Sequence, residues 1–234
     1  MEHKRLTLFA GHYGSGKTNI AVNYALLLAA EGKKVCIADL DIVNPYFRTK
    51  DSAKDLEAAG IHLVSPQFAN SNVDLPALPA EAYRLVTDRE TYGIMDIGGD
   101  DRGAYALGRY VPGILEENNY RMIFVANCYR PLTRTPEDAL EVMREIEEAC
   151  KLRFTDIVNN SNLGPATTAE TVKASLSYME TLSTLSGLPI FATTAVENVA
   201  PQLKGICDPV IPLHLQEKYF DLPSQKPGNR PLWG

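Results

Sequence analysis

With 234 residues, 45% of them hydrophobic, the chain is long enough to build one large α/β domain around a substantial core. A net charge of −6, a pI near 5.3 and the lack of any extended basic block argue against a general nucleic-acid surface. The opening Met1-Glu2-His3-Lys4-Arg5 leads into a strand with no apolar signal core, and no stretch is long and apolar enough to span a bilayer. A cytoplasmic protein with no membrane or nucleic-acid partner is expected.

Residues 6–10 form an apolar run that predicts a short buried strand. Gly11-His12-Tyr13-Gly14-Ser15-Gly16-Lys17-Thr18 follows, and residues 19–30 then predict a helix ending near Gly32. Strand, glycine-rich turn and helix are the setting that a G-x-x-x-x-G-K-[ST] match requires. The glycines strip away Cβ atoms so that main-chain N–H groups can approach phosphate oxygens closely. The helix N-terminus points its unpaired donors at the same anion. In that arrangement Lys17 reaches the β- and γ-phosphates and the Thr18 hydroxyl holds Mg²⁺.

A second strand is predicted over 34–39, delivering Asp39-Leu40-Asp41 to the end of a buried element. Carboxylates at that end of a parallel strand lie at the ligand crevice of an open sheet, where they serve a metal or a water. Residues 51–59 predict a short helix closed by Gly60, 61–64 a strand, 65–76 a polar surface loop, and 79–88 a helix. The next strand ends in Asp96, with Gly99 at D-x-x-G spacing. A carboxylate there can hold a metal-bound water, and a glycine N–H three residues on can sense a γ-phosphate. Asp100, Asp101 and Arg102 either act on the reaction or cap the following helix, which is predicted from 103 to 117 with an interruption at Pro112.

Residues 120–127 predict a strand, and Arg130 and Arg134 in the loop beyond it face the crevice by topology. Thr135-Pro136-Glu137-Asp138 has the chemistry of a helix start, with Ala139, Val142, Met143, Ile146 and Ala149 as the apolar stripe. A strand over 154–158 delivers Asn159-Asn160; an amide there either reads a purine edge or serves a turn. Thr167-x-x-Glu170 reads as a capping box for a helix whose buried side is Val172, Leu176, Met179, Leu182 and Leu185. Residues 189–193 predict the last clear parallel strand.

Cys36, Cys128, Cys150 and Cys207 are widely spaced and form no C-x-x-C pair, so no zinc or cluster ligand set is indicated within one chain; Cys36 and Cys128 are expected to be core thiols. His62 and His214 are expected to be structural. Alternating strands and helices without a repeat predict an α/β P-loop NTPase fold, a mostly parallel central sheet with helices on both faces. All 234 residues are read as one nucleotide-binding domain, with 213–234 as a C-terminal helix and tail.

With these residues in place, the chain resembles the MinD/ParA/Mrp/CobQ group of P-loop ATPases, of the SIMIBI class, over roughly residues 5–200. The run Asp39-Leu40-Asp41 followed by Pro45 looks particularly like the Mrp and nitrogenase-iron-protein branch. The resemblance implies ATP and Mg²⁺ as cofactors. It implies a nucleotide-binding set of Gly11, Gly14, Ser15, Gly16, Lys17, Thr18, Asn19 and Gly99, with Asn159 on adenine. Lys17 and Asp41 would be catalytic, Asp41 by orienting the attacking water, and Thr18, Asp39 and Asp96 would serve the metal.

Hydrolysis would switch the loops at 39–48 and 96–102 and change affinity for a protein client, such as a metalloenzyme under assembly. The alternative is a small-molecule kinase or ATP-dependent ligase of the BioD and CobB type, with an acceptor pocket lined by 65–76 or 130–134. A partition or positioning protein is disfavoured by the acidic balance and the plain tail. The group usually carries a second lysine one residue after the first loop glycine, reaching across an ATP-dependent homodimer. Here His12 stands in that place, leaving Arg48, Arg102 and Arg130 as candidates for a cross-subunit charge. The missing cluster cysteines argue against nitrogenase-like electron transfer.

Overall fold

The computed structural model describes residues 2–40, 52–64, 80–99 and 101–215. Eight strands form one sheet: β1 (Leu6–Ala10), β2 (Val35–Leu40), β3 (His62–Val64), β4 (Tyr92–Ile97), β5 (Tyr120–Ala126), β6 (Asp156–Asn159), β7 (Ile190–Val196) and β8 (Val210–Leu213). Their order is β3-β2-β4-β1-β5-β6-β7-β8, and every pair is parallel. Parallel strands must be covered on both faces, which is why β1 and β2 are buried along their whole length.

Side chains alternate across a strand, so β1 feeds two cores at once. Leu6, Leu8 and Ala10 pack into one, and Phe9 into the other. The helices are α1 (Lys17–Ala30), α2 (Ala53–Ala58), α3 (Arg84–Thr87), α4 (Asp101–Leu107), α5 (Val111–Glu117), α6 (Pro136–Cys150), α7 (Ala169–Ala174) and α8 (Leu176–Ser186). The core that takes Leu6 and Leu8 is closed by Leu107, Ile114, Met143 and Leu182 from α4, α5, α6 and α8. The core that takes Phe9 is closed by Ile20, Tyr24 and Leu28 of α1 and Leu56 of α2.

Several elements differ from the sequence expectation for local reasons. The helix expected over 103–117 is two: α4 stops at Leu107, and Pro112 stands in the first turn of α5, where it forfeits no hydrogen bond. The segment 79–88 opens as a 3₁₀ turn, Ala80–Tyr83, before α3. The capping box sits one residue later than expected, with Thr168 accepting from the Thr171 N–H at 3.2 Å. Thr167 instead closes the preceding turn, donating to the Gly164 carbonyl at 2.7 Å.

The helix that follows breaks at Ser175, whose hydroxyl donates to the Val172 carbonyl at 2.6 Å, and Leu185 lies exposed. Strand β8 was not expected; it is short and carries Pro212, which an edge position tolerates. Leu213, taken from sequence as the head of a C-terminal helix, closes β8, and residues 216–234 lie outside the described residues. Among the described residues no helix is long and apolar enough to cross a membrane.

Candidate functional site

Strand β1 is central and α1 follows it directly, so the loop at residues 11–18 lies over the C-terminal edge of the sheet. Gly16 caps α1 in the left-handed region at φ 92°, and Gly14 has φ 76°, conformations that other residues resist. A Cβ on Gly16 would collide with the Asn160 amide, and one on Gly11 would sit 2.8 Å from the Val125 carbonyl oxygen. Every other side chain is thereby excluded from a backbone cradle packed against β5 and β6. Ser15 is fully buried, and its hydroxyl has no hydrogen-bond partner among the described residues.

Lys17 and Thr18 open α1 and are both buried. The Lys17 ammonium donates to the His12 carbonyl across the loop at 3.1 Å. The Thr18 hydroxyl donates to Asp96 Oδ2 at 2.5 Å. Asp96 lies beside Asp39 in the β2–β4 register, and both carboxylates are buried. Two buried acids side by side repel unless a positive charge is near, and two carboxylates with a hydroxyl are ligands that suit Mg²⁺. The donor set therefore fits the expected metal. Gly99 lies directly against this group: a Cβ there would come within 2.7 Å of the Tyr13 nitrogen and 2.9 Å of the Lys17 ammonium.

On the other side of β1 a cleft of about 130 Å³ runs between the loop and the ends of β6 and β7, lined by Gly14, Gly16, Asn19, Arg130, Asn160 and Thr194 among others. Asn160 ties the loop to the sheet. Its Nδ2 donates to the Ser15 carbonyl and its Oδ1 accepts from Thr194 Oγ1, each at 2.6 Å. Asn159 is fully buried and turned away, donating to Ser175 Oγ at 2.9 Å and accepting from the Ser161 N–H at 3.1 Å. The amide that lines the cleft is thus one residue later than the one assigned from sequence. Asn159 is still paired within β6, whereas Asn160 is the first residue past the strand.

The structure brings together Gly11, Gly14, Ser15, Gly16, Lys17, Thr18, Asn19, Asp39, Asp96 and Gly99. Asp41, Arg48, Asp100 and the 65–76 loop lie outside the described residues. Thr194, which heads the 194–199 stretch expected from the sequence to pass near the base, lines this cleft. Among the described residues no group of three or more His, Cys, Asp or Glu side chains forms a metal cluster. Cys36 is buried, whereas Cys128 is partly exposed. His62 and His214 are exposed and pair with Glu81 and Glu197.

No family model matches the chain, and no curated protein matches it in sequence. In fold it is similar to FtsY from Thermotoga maritima, with 19% identity over 82% of this chain and 62% of that one, and a TM-score of 0.54. It is likewise similar to the 54 kDa signal recognition particle protein of Aeropyrum pernix in complex with GDP, with 16% identity over 82% and 41% and a TM-score of 0.54. A third is FtsY from Mycoplasma mycoides, with 16% identity over 83% and 61% and a TM-score of 0.52. The chain spans less than two thirds of the length of each of these structures. They are not of the MinD/ParA/Mrp branch that the motifs resemble; the ground common to both is the fold. At this level of identity the likeness establishes the architecture: the chain has the P-loop NTPase fold.

Proposed function

We propose that the chain binds a purine nucleoside triphosphate with Mg²⁺ in the 11–18 loop and hydrolyses it as a conformational switch acting on a protein client. The observation that carries the reading is the cluster of Lys17, Thr18, Asp96 and Gly99, in which the loop hydroxyl meets a buried carboxylate and a glycine backbone abuts the lysine. A bound Mg²⁺ would supply charge to the phosphates, and Thr18 with Asp39 and Asp96 would hold it there. Gly99, touching Lys17, couples the segment after β4 to the phosphate end of the site, which is what a hydrolysis-linked switch requires. Asp41 keeps the water-orienting role in this reading.

ATP is the nucleotide the motifs favour, while the Aeropyrum structure carries GDP. Asn160 and Thr194, at the cleft beyond the loop, take the base-side role first given to Asn159. An ATP-dependent homodimer and a metalloenzyme client belong to the same reading. Calorimetry with Mg–ATP and Mg–GTP tests it: wild type binds one of them and Lys17→Ala loses that binding. Asp41→Ala should keep binding and lose turnover. Absence of heat with either nucleotide, in wild type and Lys17→Ala alike, refutes the proposal. Release of nucleoside diphosphate that depends on an added small acceptor would favour the kinase or ligase alternative.

A further inference from the structure

We infer that Arg130 is a positioning cation for the polyphosphate of the nucleotide bound by its own chain, an inference that rests on the nucleotide reading above. Arg130 follows β5, on the side of β1 opposite to Asp96 and Gly99. Its side chain lies over Gly14: a Cβ on that glycine would be 3.7 Å from Nε and 3.8 Å from Cζ. These are van der Waals distances, so the guanidinium rests against the loop backbone at a position whose φ of 76° favours glycine. Among the described residues, Nε is buried without a hydrogen-bond partner and no ion pair includes Arg130. In a chain of net charge −6, a guanidinium with no carboxylate partner among the described residues, set beside the loop backbone, is suited to take an anion. A buried donor left unpaired is costly, and a phosphate oxygen arriving over Gly14 relieves that cost.

The loop that carries Arg130 is held from several directions, so the cation is set in place in advance. The Arg130 N–H donates to the Asn127 carbonyl at 3.1 Å, and Thr133 Oγ1 donates to the same oxygen at 2.8 Å. The Cys128 N–H donates to Ser161 Oγ at 3.2 Å. The Tyr129 and Tyr178 hydroxyls donate to the carbonyls of Thr171 at 2.8 Å and Thr133 at 2.9 Å, and burial pushes both phenols above their ordinary pKa. A fixed loop of this kind presents its cation with little ordering left to do on binding. Lys17 and Arg130 then flank the phosphates from the two sides of β1. Because the stem lies over its own Gly14, the charge serves the nucleotide in cis and not that of a partner copy.

The test is calorimetric titration of the full chain with whichever of Mg–ATP or Mg–GTP the wild type binds, with Arg130→Ala and Arg130→Lys beside it. The melting temperature without nucleotide serves as the folding control. Arg130→Ala should weaken binding by about 10- to 100-fold, the scale of one charge-assisted hydrogen bond. Arg130→Lys should fall between alanine and wild type, since it keeps the charge but not the fork. Two results overturn the inference while leaving the nucleotide reading intact. One is Arg130→Ala binding within about threefold of wild type, below the scale of such a bond. The other is a lysine variant as weak as the alanine variant, which would assign the residue a matter of shape. If the wild type binds neither nucleotide, the reading and the inference fall together.

Discussion

The end of the sheet opposite the site is anchored by Arg5, and removing that anchor should destabilise the protein without touching its chemistry. The Arg5 guanidinium is buried and pairs through two nitrogens with Glu117 at the end of α5. Its remaining nitrogen donates to the carbonyls of Leu85 at 2.9 Å and of Asp88 and Thr91 at 3.0 Å. One side chain thus joins the start of β1, the end of α5, α3 and the turn before β4. Replacing it with methionine leaves a buried carboxylate and three carbonyls without their donor, and breaking such a pair costs about 3–5 kcal/mol. For a chain of this size that corresponds to a fall in melting temperature of about 6–20 °C. The double variant Arg5→Met/Glu117→Met should recover much of the loss, because no uncompensated charge then remains. Urea unfolding of wild type, both single variants and the double variant closes the cycle. A single variant within about 1 kcal/mol of wild type would refute the reasoning. So would a double variant worse than the sum of the singles.

Gly99→Ala should fold normally yet lose nucleotide turnover, because the added methyl meets the Tyr13 nitrogen and the Lys17 ammonium at under 3 Å; calorimetry and a phosphate-release assay read the two halves. Asn160→Ala removes the link from Ser15 to Thr194 and should cost about 1–3 kcal/mol in nucleotide binding, stability or both, read by titration and urea unfolding. Burial, with smaller contributions from Asp88 and Glu81, pushes the Cys36 thiol up to about 11 from an ordinary 9. The unfolded chain therefore ionises this thiol first. Stability should fall as pH rises from about 9 to about 11 and level off above, by at most about 3 kcal/mol from this group. Cys36→Ala should show a shallower decline over that window, and an identical slope would remove Cys36 as its cause.

The inner strands were legible because they are buried on both faces and read as apolar runs, whereas the short, half-exposed edge strand β8 carries no such run. The loop at 11–18 was legible because it needs glycine, lysine and threonine at fixed places for reasons of backbone geometry. What failed was register. Thr167 and Thr168 both have cap chemistry, and Glu170 three residues after the first favoured the wrong one; the observed box closes through Thr171. Asn159 and Asn160 have the same side chain, and only the length of β6 decides which faces inward. The partner that settles it, Ser175, is 16 residues away and sits at a helix break with no sequence signature of its own. Arg5 was likewise invisible as a buried residue, since its acceptors lie 80 or more positions downstream.

The site's composition follows from strand order more than from any single motif. A phosphate loop after β1 needs acids on one side for the metal and donors on the other for the rest of the nucleotide. With β1 between β4 and β5, residues at the ends of β2 and β4 would supply the first requirement in the proposed reading, Asp39 and Asp96 among them. Residues in or just beyond β5, β6 and β7 would supply the second, Arg130, Asn160 and Thr194 among them, which line the cleft. The division is physical as well as spatial. On the acidic side Asp39 and Asp96 are buried and Gly99 has no room for a side chain, so in the proposed reading it would respond to small changes at the phosphates. The donor side is a cleft whose wall is tied together by the Asn160 bridge. A change of nucleotide state should accordingly move the segment after β4 and leave the Asn160 bridge in place. Hydrogen exchange with and without bound nucleotide reads this directly: protection should change at 98–107 and stay constant at 158–161. Equal changes in both segments would mean that the cleft, and not the acidic side, is the moving part.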